Sequence, residues 1–110
     1  MIQRLGPAVD FMNTNAQNNP SLREIAAIVY LSPSHFHRLF QAAFSLTPHQ
    51  YMLEKRMNKA TKLLVSGRLR VSEVATLCGY DNLFYFSRIF KKYHGYTPTI
   101  MRNNSMPMQP

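Results

Sequence analysis

The chain has 110 residues, 45% of them hydrophobic, which suffices for one modest domain or two very small ones and argues against disorder. Its 13 Lys and Arg against 5 Asp and Glu give a formal net charge of +8, which favours a polyanionic partner, nucleic acid ahead of a membrane surface. No apolar run approaches the roughly 20 residues of a membrane span, the start lacks a signal-peptide pattern, and the single cysteine fits a reducing cytosol.

Helix-start signals organise the first half of the chain. An apolar face at helical spacing between Ile2 and Met12 predicts a first helix, and the polar stretch 13–20 predicts a loop after it. The capping box Ser21–Glu24 opens a second helix. Ser32-Pro33 opens a third helix, which should run to about Phe44 because Ser is a favoured N-cap and Pro a favoured first helical residue.

The second half follows the same pattern. Thr47-Pro48 opens the longest helix, about 19 residues and roughly 28 Å in length, which should end at Gly67. A short amphipathic helix ending at Gly79 and a longer one from about Asn82 follow, and Thr97-Pro98 starts a last turn or two. No strand pattern is convincing, so we predict an all-α fold.

One block of sequence occurs twice. "FHRLFQAAFSLTP" at 36–48 is echoed by "FSRIFKKYHGYTP" at 86–98, and the upstream triplet at 24–26 is echoed 49 residues later at 73–75. The second copy therefore has one extra residue in its turn. Each copy is a short helix, a tight turn and a longer helix, which is the helix-turn-helix pattern whose second helix fits the DNA major groove.

Each longer helix divides into an inward apolar face and an outward stripe. An outward stripe with an Arg near the helix start suits contact with base edges and phosphates. The stripe of the first copy is Ser34, His37, Arg38 and Gln41, and that of the second is Phe84, Ser87, Arg88 and Lys91, with Tyr85 and Lys92 at its margins.

The segments 21–64 and 71–98 resemble the DNA-binding domain of the AraC/XylS family of bacterial transcription regulators, and "GYDNLFYFSRIFKKYHGYTP" is the most specific piece. The resemblance implies seven helices in two helix-turn-helix subdomains, 1–46 and 67–102, joined by a central helix at 47–66. The flexible tail at 103–110 is predicted from its own residues, "NNSMPMQP", since the resemblance extends only to about Arg102. The resemblance also implies sequence-specific promoter binding, usually with activation of transcription.

Carried over by position, the resemblance assigns DNA contacts to both reading helices. They are Ser34, His37 and Arg38 in the first helix, and Leu83, Phe84, Tyr85 and Arg88 in the second, with Lys91 and Lys92 near phosphate. Ser45 departs from the Gly common in the family; a left-handed backbone there would cost Ser on the order of 1 kcal/mol. The second helix is apolar over 83–85, where hydrogen-bonding residues are expected, which favours thymine-methyl contact or a supporting role over polar readout.

Other kinds of site find little support. His35 and His37 form H-x-H, but helical residues two apart point about 200° away from each other, so we expect no metal site. The sequence has no glycine-rich phosphate loop, paired carboxylates or His-assisted nucleophile, so we expect neither an enzyme nor a cofactor. Arg56 stays open between an internal ion pair and a phosphate contact.

The expected partner is double-stranded promoter or operator DNA in the cytoplasm, at the nucleoid. Its successive major-groove openings lie about 34 Å apart, a distance that the central helix and its turns can match. RNA polymerase and an N-terminal sensor domain are further candidate partners, since the abrupt start favours the output domain of a longer effector-responsive regulator over a small stand-alone protein. The rival function is a basic helical module that docks on an acidic protein or RNA without operator specificity.

Overall fold

The computed structural model describes residues 2–104. Within that range the chain forms seven α-helices and one short 3-10 helix and has no strand, which confirms the all-α prediction. None of these described helices combines the length and the apolar character that crossing a bilayer requires. The helices are α1 (Ile2–Asn15), α2 (Leu22–Ile28), α3 (Pro33–Phe44), α4 (Pro48–Val65), α5 (Val71–Leu77), α6 (Leu83–His94) and α7 (Pro98–Asn104), with the 3-10 helix at Ala16–Asn18.

The chain divides into two compact units, and the division falls between Lys55 and Arg56 within α4. Each unit buries its own apolar side chains, which is the main source of its stability. The core cluster of the first unit contains Leu5, Ala8, Met12, Ala16, Ile25, Ala26, Val29, Phe36, Phe40 and Met52. The second unit buries Met57, Ala60, Leu64, Val74, Ala75, Cys78, Tyr80, Phe86 and Phe90.

The finer division at 46/47 and 66/67 stays a prediction. The flexible tail that the sequence predicts at 103–110 falls mainly on residues 105–110, which lie outside the described residues, while α7 includes Asn103 and Asn104.

The predicted helix caps are present. The Ser21 side chain accepts from the Glu24 amide at 3.1 Å, and the Glu24 carboxylate accepts from the Ser21 amide at 2.8 Å, which completes the capping box of α2. The Ser32 hydroxyl accepts from the His35 amide at 3.2 Å and caps α3. Thr97 caps α7 in the same way, through the Ile100 amide at 3.2 Å. These bonds satisfy amides that would otherwise have no partner within the helix.

The loop predicted at 13–20 is shorter than expected. Helix α1 runs through Pro7 as far as Asn15, and the 3-10 turn follows directly. The Asn15 side-chain amide donates to the Phe11 carbonyl at 3.1 Å, and the Thr14 hydroxyl donates to the Asp10 carbonyl at 3.2 Å. These polar side chains donate hydrogen bonds to carbonyls of the preceding helical turn. They therefore extend the end of α1 where the sequence predicted a loop.

The internal repeat is reproduced in the helix lengths. Helices α2 and α5 have 7 residues each, and α3 and α6 have 12 each. The connection between the two helices of the pair is 29–32 in the first copy and 78–82 in the second, which confirms the extra residue in the second turn.

Two positions of the first copy hold a non-glycine residue in a left-handed backbone. Ser45, the C-cap of α3, has φ 61°, and its counterpart Gly95 has φ 90°. Tyr30, in the α2–α3 turn, has φ 57°, where the second copy has Gly79 at φ 94°. A residue with a Cβ pays roughly 1–2 kcal/mol in this conformation. The second copy avoids that cost at both positions.

We expect Ser45→Gly to raise the free energy of unfolding by about 0.5–1 kcal/mol. Glycine adopts the positive φ without Cβ crowding, and this gain exceeds the extra entropy of the unfolded chain. Urea denaturation would measure the change. Ala42→Gly is the matched control, because Ala42 is exposed within α3, where glycine costs about 1 kcal/mol. A loss of stability in Ser45→Gly would contradict this account of the cap.

Candidate nucleic-acid interface

The outward stripe of α3 is set by two buried phenylalanines. Phe36 and Phe40 have no exposed surface and fix the rotation of the helix about its axis. On the other side Ser34, Arg38 and Gln41 are exposed, at the i, i+4, i+7 spacing that places side chains along one face. The structure therefore presents three of the four side chains of this stripe to solvent.

His37, the fourth predicted member, is half-buried. It lines a cleft of about 360 Å³ together with Pro20–Leu22, Thr47–His49 and Met52 of the first unit. His37 is therefore less exposed than the other three members of the stripe.

The outward stripe of α6 is also oriented by two buried phenylalanines, but its exposed side chains carry more positive charge than those of α3. Phe86 and Phe90 are fully buried, while Arg88, Lys91 and Lys92 are exposed. Neither α3 nor α6 contains an acidic residue. The positive charge on these faces is therefore not neutralised within the helix, and it favours approach of a polyanion such as the DNA backbone.

The first turn of α6 exposes three apolar or aromatic side chains in succession. Leu83 is 37% exposed, Phe84 is 81% exposed and Tyr85 is 48% exposed. The Tyr85 ring lies 6.0 Å from the Tyr80 ring, and its amide donates to the Asn82 side-chain oxygen at 2.9 Å, which caps the helix. Tyr85 is thus partly packed within its unit, whereas Phe84 points into solvent.

Two residues that could carry chemistry belong to the core of the second unit. Arg56 is only 6% exposed, its Nε donates to the Tyr80 hydroxyl at 2.9 Å, and its guanidinium lies 5.5 Å from the centre of that ring. This burial argues against the phosphate contact that the sequence left open. Burial also raises the pKa of the Cys78 thiol to about 11, so the reactive thiolate is scarce at neutral pH.

Tyr30 is an exposed residue that lies outside both predicted stripes. Its side chain is 94% exposed at the turn between α2 and α3. The internal repeat indicates that this position is unusual, because Tyr30 aligns with Gly79 at the same offset that relates α2 to α5. The turn of the first copy is strained, because it places a tyrosine in a left-handed backbone where the second copy has glycine.

Comparison with known proteins gives consistent relatives. Residues 25–104 match a family model described as a helix-turn-helix domain. The lactose operon transcription activator of Staphylococcus xylosus is 33% identical over 86 residues, which cover 78% of this chain and 31% of that protein. A transcriptional regulator from Chromobacterium violaceum, described by its AraC-type DNA-binding domain, superposes with a TM-score of 0.85 at 27% identity, covering 97% of this chain and 96% of that one.

A further solved structure contains nucleic acid. The DNA-binding domain of AdpA, a global transcriptional factor in complex with a target DNA, superposes with a TM-score of 0.84 at 25% identity, covering 91% of this chain and 90% of that one. The chain spans about a third of the length of the curated relatives that it matches, 36% of one and 31% of another.

Proposed function

This chain belongs to the family of AraC-type helix-turn-helix DNA-binding domains, and from that membership we propose that it binds specific double-stranded DNA as the output part of a transcription regulator. The observation that carries the proposal is the duplicated exposed stripe, one on α3 and one on α6, each free of acidic residues and each containing an arginine at the same repeat position. A solvated surface alone gives no reason for such matched placement.

The first unit supplies most of the base readout. Arg38 is the strongest candidate, because a guanidinium donates two hydrogen bonds to O6 and N7 of guanine and so distinguishes that base in the major groove. Ser34 and Gln41 flank it on the same exposed face and offer both donors and acceptors. His37 is less exposed than these three residues and contributes less.

The second unit supplies contacts to the DNA phosphates. Arg88, Lys91 and Lys92 lie exposed on α6 with no acidic residue in the helix, so they are placed to neutralise phosphates. Phosphate contacts fix position and register but carry no sequence information directly. The two reading helices enter adjacent major-groove segments of one asymmetric site, and a mismatch with B-form spacing bends the DNA at a cost of a few kcal/mol.

In this proposal the domain acts in the cytoplasm, on promoter or operator DNA, and activates transcription, as the name of the lactose operon relative says of that protein. A sensor domain elsewhere in a longer protein and RNA polymerase are its further partners. The domain itself has a binding role and no catalytic one.

Selection of bound sequences from a random duplex pool tests this function. We expect a single asymmetric motif spanning about two helical turns to be enriched, and random duplex to compete far less well than the selected duplex in a gel-shift assay. If random duplex, RNA or an acidic protein competes as well as the selected duplex, the chain is a non-specific basic module and the proposal is wrong.

Lys91→Ala should weaken binding to selected and random duplexes by a similar factor. It should also reduce the slope of log K against log salt by about 1, because the variant releases one counterion fewer from the DNA on binding. Lys62→Ala is the matched control, since Lys62 is an exposed lysine on α4, outside both stripes. Binding titrations at several salt concentrations would measure both. An unchanged slope in Lys91→Ala, or the same change in Lys62→Ala, would contradict the phosphate contact.

A further inference from the structure

We propose that the first turn of α6 recognises thymine methyl groups, with Phe84 as the main contact, so that the second half of the target site is specified by apolar rather than hydrogen-bonding readout. The inference rests on the proposed function, and it names the base chemistry that this half of the surface selects.

The internal repeat aligns Phe84 with a residue of the other outward stripe. Helices α3 and α6 have the same length and matching ends, and Phe84 occupies the position that Ser34 occupies in α3. Both side chains are exposed, but one is a hydroxyl and the other a phenyl ring that is 81% exposed. The core of the second unit does not need this ring, because Phe86 and Phe90 fill the buried face of the helix.

The exposed neighbours of Phe84 on α6 favour a polyanionic partner. Arg88 and Lys91 follow it at i+4 and i+7, so the phenyl ring lies on the same helix face as exposed cations. A partner that covers this face must offer negative charge along the helix and an apolar group at its start. A DNA major groove meets both requirements, since its walls are phosphates and the thymine C5-methyl is the apolar group that base edges present there.

The Asn82 side chain at the start of α6 also serves the helix itself. The Asn82 side-chain oxygen accepts from the Tyr85 amide at 2.9 Å, so it serves as the helix cap. The Tyr85 ring is held 6.0 Å from the Tyr80 ring. Leu83, 37% exposed, extends the apolar surface beside Phe84. The exposed start of α6 therefore offers van der Waals contact where the start of α3 offers hydrogen bonds.

The test replaces thymine by deoxyuridine in the selected duplex, one position at a time, which deletes the methyl group and leaves every hydrogen-bonding group in place. In the half-site of the second unit, each contacted thymine should lose about threefold to fourfold in affinity on replacement, as expected for one buried methyl group. Phe84→Ala should bind the thymine and deoxyuridine duplexes equally, while Ser34→Ala, the repeat-matched control, should keep the full difference.

The outcomes separate this inference from the proposed function. If no sequence is enriched from the random pool, the proposed function fails and the inference fails with it. If a motif is enriched but deoxyuridine changes nothing in the second half-site, only the thymine-methyl inference is overturned. It is likewise overturned if Phe84→Ala leaves DNA binding unchanged. Circular dichroism would check that Phe84→Ala keeps its helical fold, as its exposure predicts.

Discussion

Phe40→Ala should lower the free energy of unfolding of the first unit by about 3–5 kcal/mol, the usual loss for a fully buried phenylalanine. Phe40 has no exposed surface. Its ring lies 4.5 Å from the Phe44 ring and 5.3 Å from the Tyr51 ring, so alanine leaves a cavity in the middle of an aromatic cluster that joins α3 to α4. Such a loss is a large fraction of the 5–15 kcal/mol that stabilises a typical domain.

Thermal and urea denaturation would measure this change, with a fall in Tm of at least about 12 °C expected. Gln41→Ala is the matched control, because Gln41 is the next residue along α3 and is exposed, so its effect should stay within about 0.5 kcal/mol. Equal stability of the two variants would mean that α3 is not anchored by Phe40, and the orientation of its outward stripe would then lose its support.

Arg38→Ala should lower affinity for the selected duplex by about 1–3 kcal/mol, roughly 5-fold to 150-fold, and relax specificity at one base pair. The guanidinium is exposed on α3, where it can form a two-point contact with guanine. Arg38→Lys should recover only part of the loss, since an ammonium group lacks the planar fork. Gel-shift titrations on the selected duplex, and on variants of each base pair, would measure these effects.

A base substitution provides the control for Arg38. At the base pair where Arg38→Ala relaxes specificity, changing the guanine should cost the wild-type protein as much as Arg38→Ala does, and the two changes together should cost little more than either alone. If Arg38→Ala weakens binding to selected and random duplexes equally, the residue is a phosphate contact and not a base reader.

Local sequence signals predicted the helices well. Helix starts could be predicted at Ser21, Ser32, Thr47 and Thr97 because N-capping depends on residues within one turn of each other. The Thr47 cap is present as a reciprocal pair with Gln50, at 2.9 and 3.1 Å. The repeat added information that no single segment holds, since it aligned α3 with α6 and so located both outward stripes.

Features that depend on tertiary packing were less predictable. His37 is half-buried and shares a cleft with chain segments near residues 20 and 48, a tertiary arrangement that helical spacing cannot reveal. The role of Arg56 was open because its partner Tyr80 lies 24 residues away. Tyr30 has a left-handed backbone, which aromatic residues rarely adopt. In the sequence, only the alignment of Tyr30 with Gly79 indicates this conformation.

We propose that one chain binds two neighbouring groove segments through two unequal reading helices. Ethylation interference on the selected duplex tests this binding to two segments, because it maps every phosphate that the protein needs. We expect two clusters of essential phosphates about 10 base pairs apart on one face of the DNA, with the cluster next to the thymine-dependent half-site weakened in Lys91→Ala. A single cluster, or interference spread evenly along the duplex, would contradict the claim.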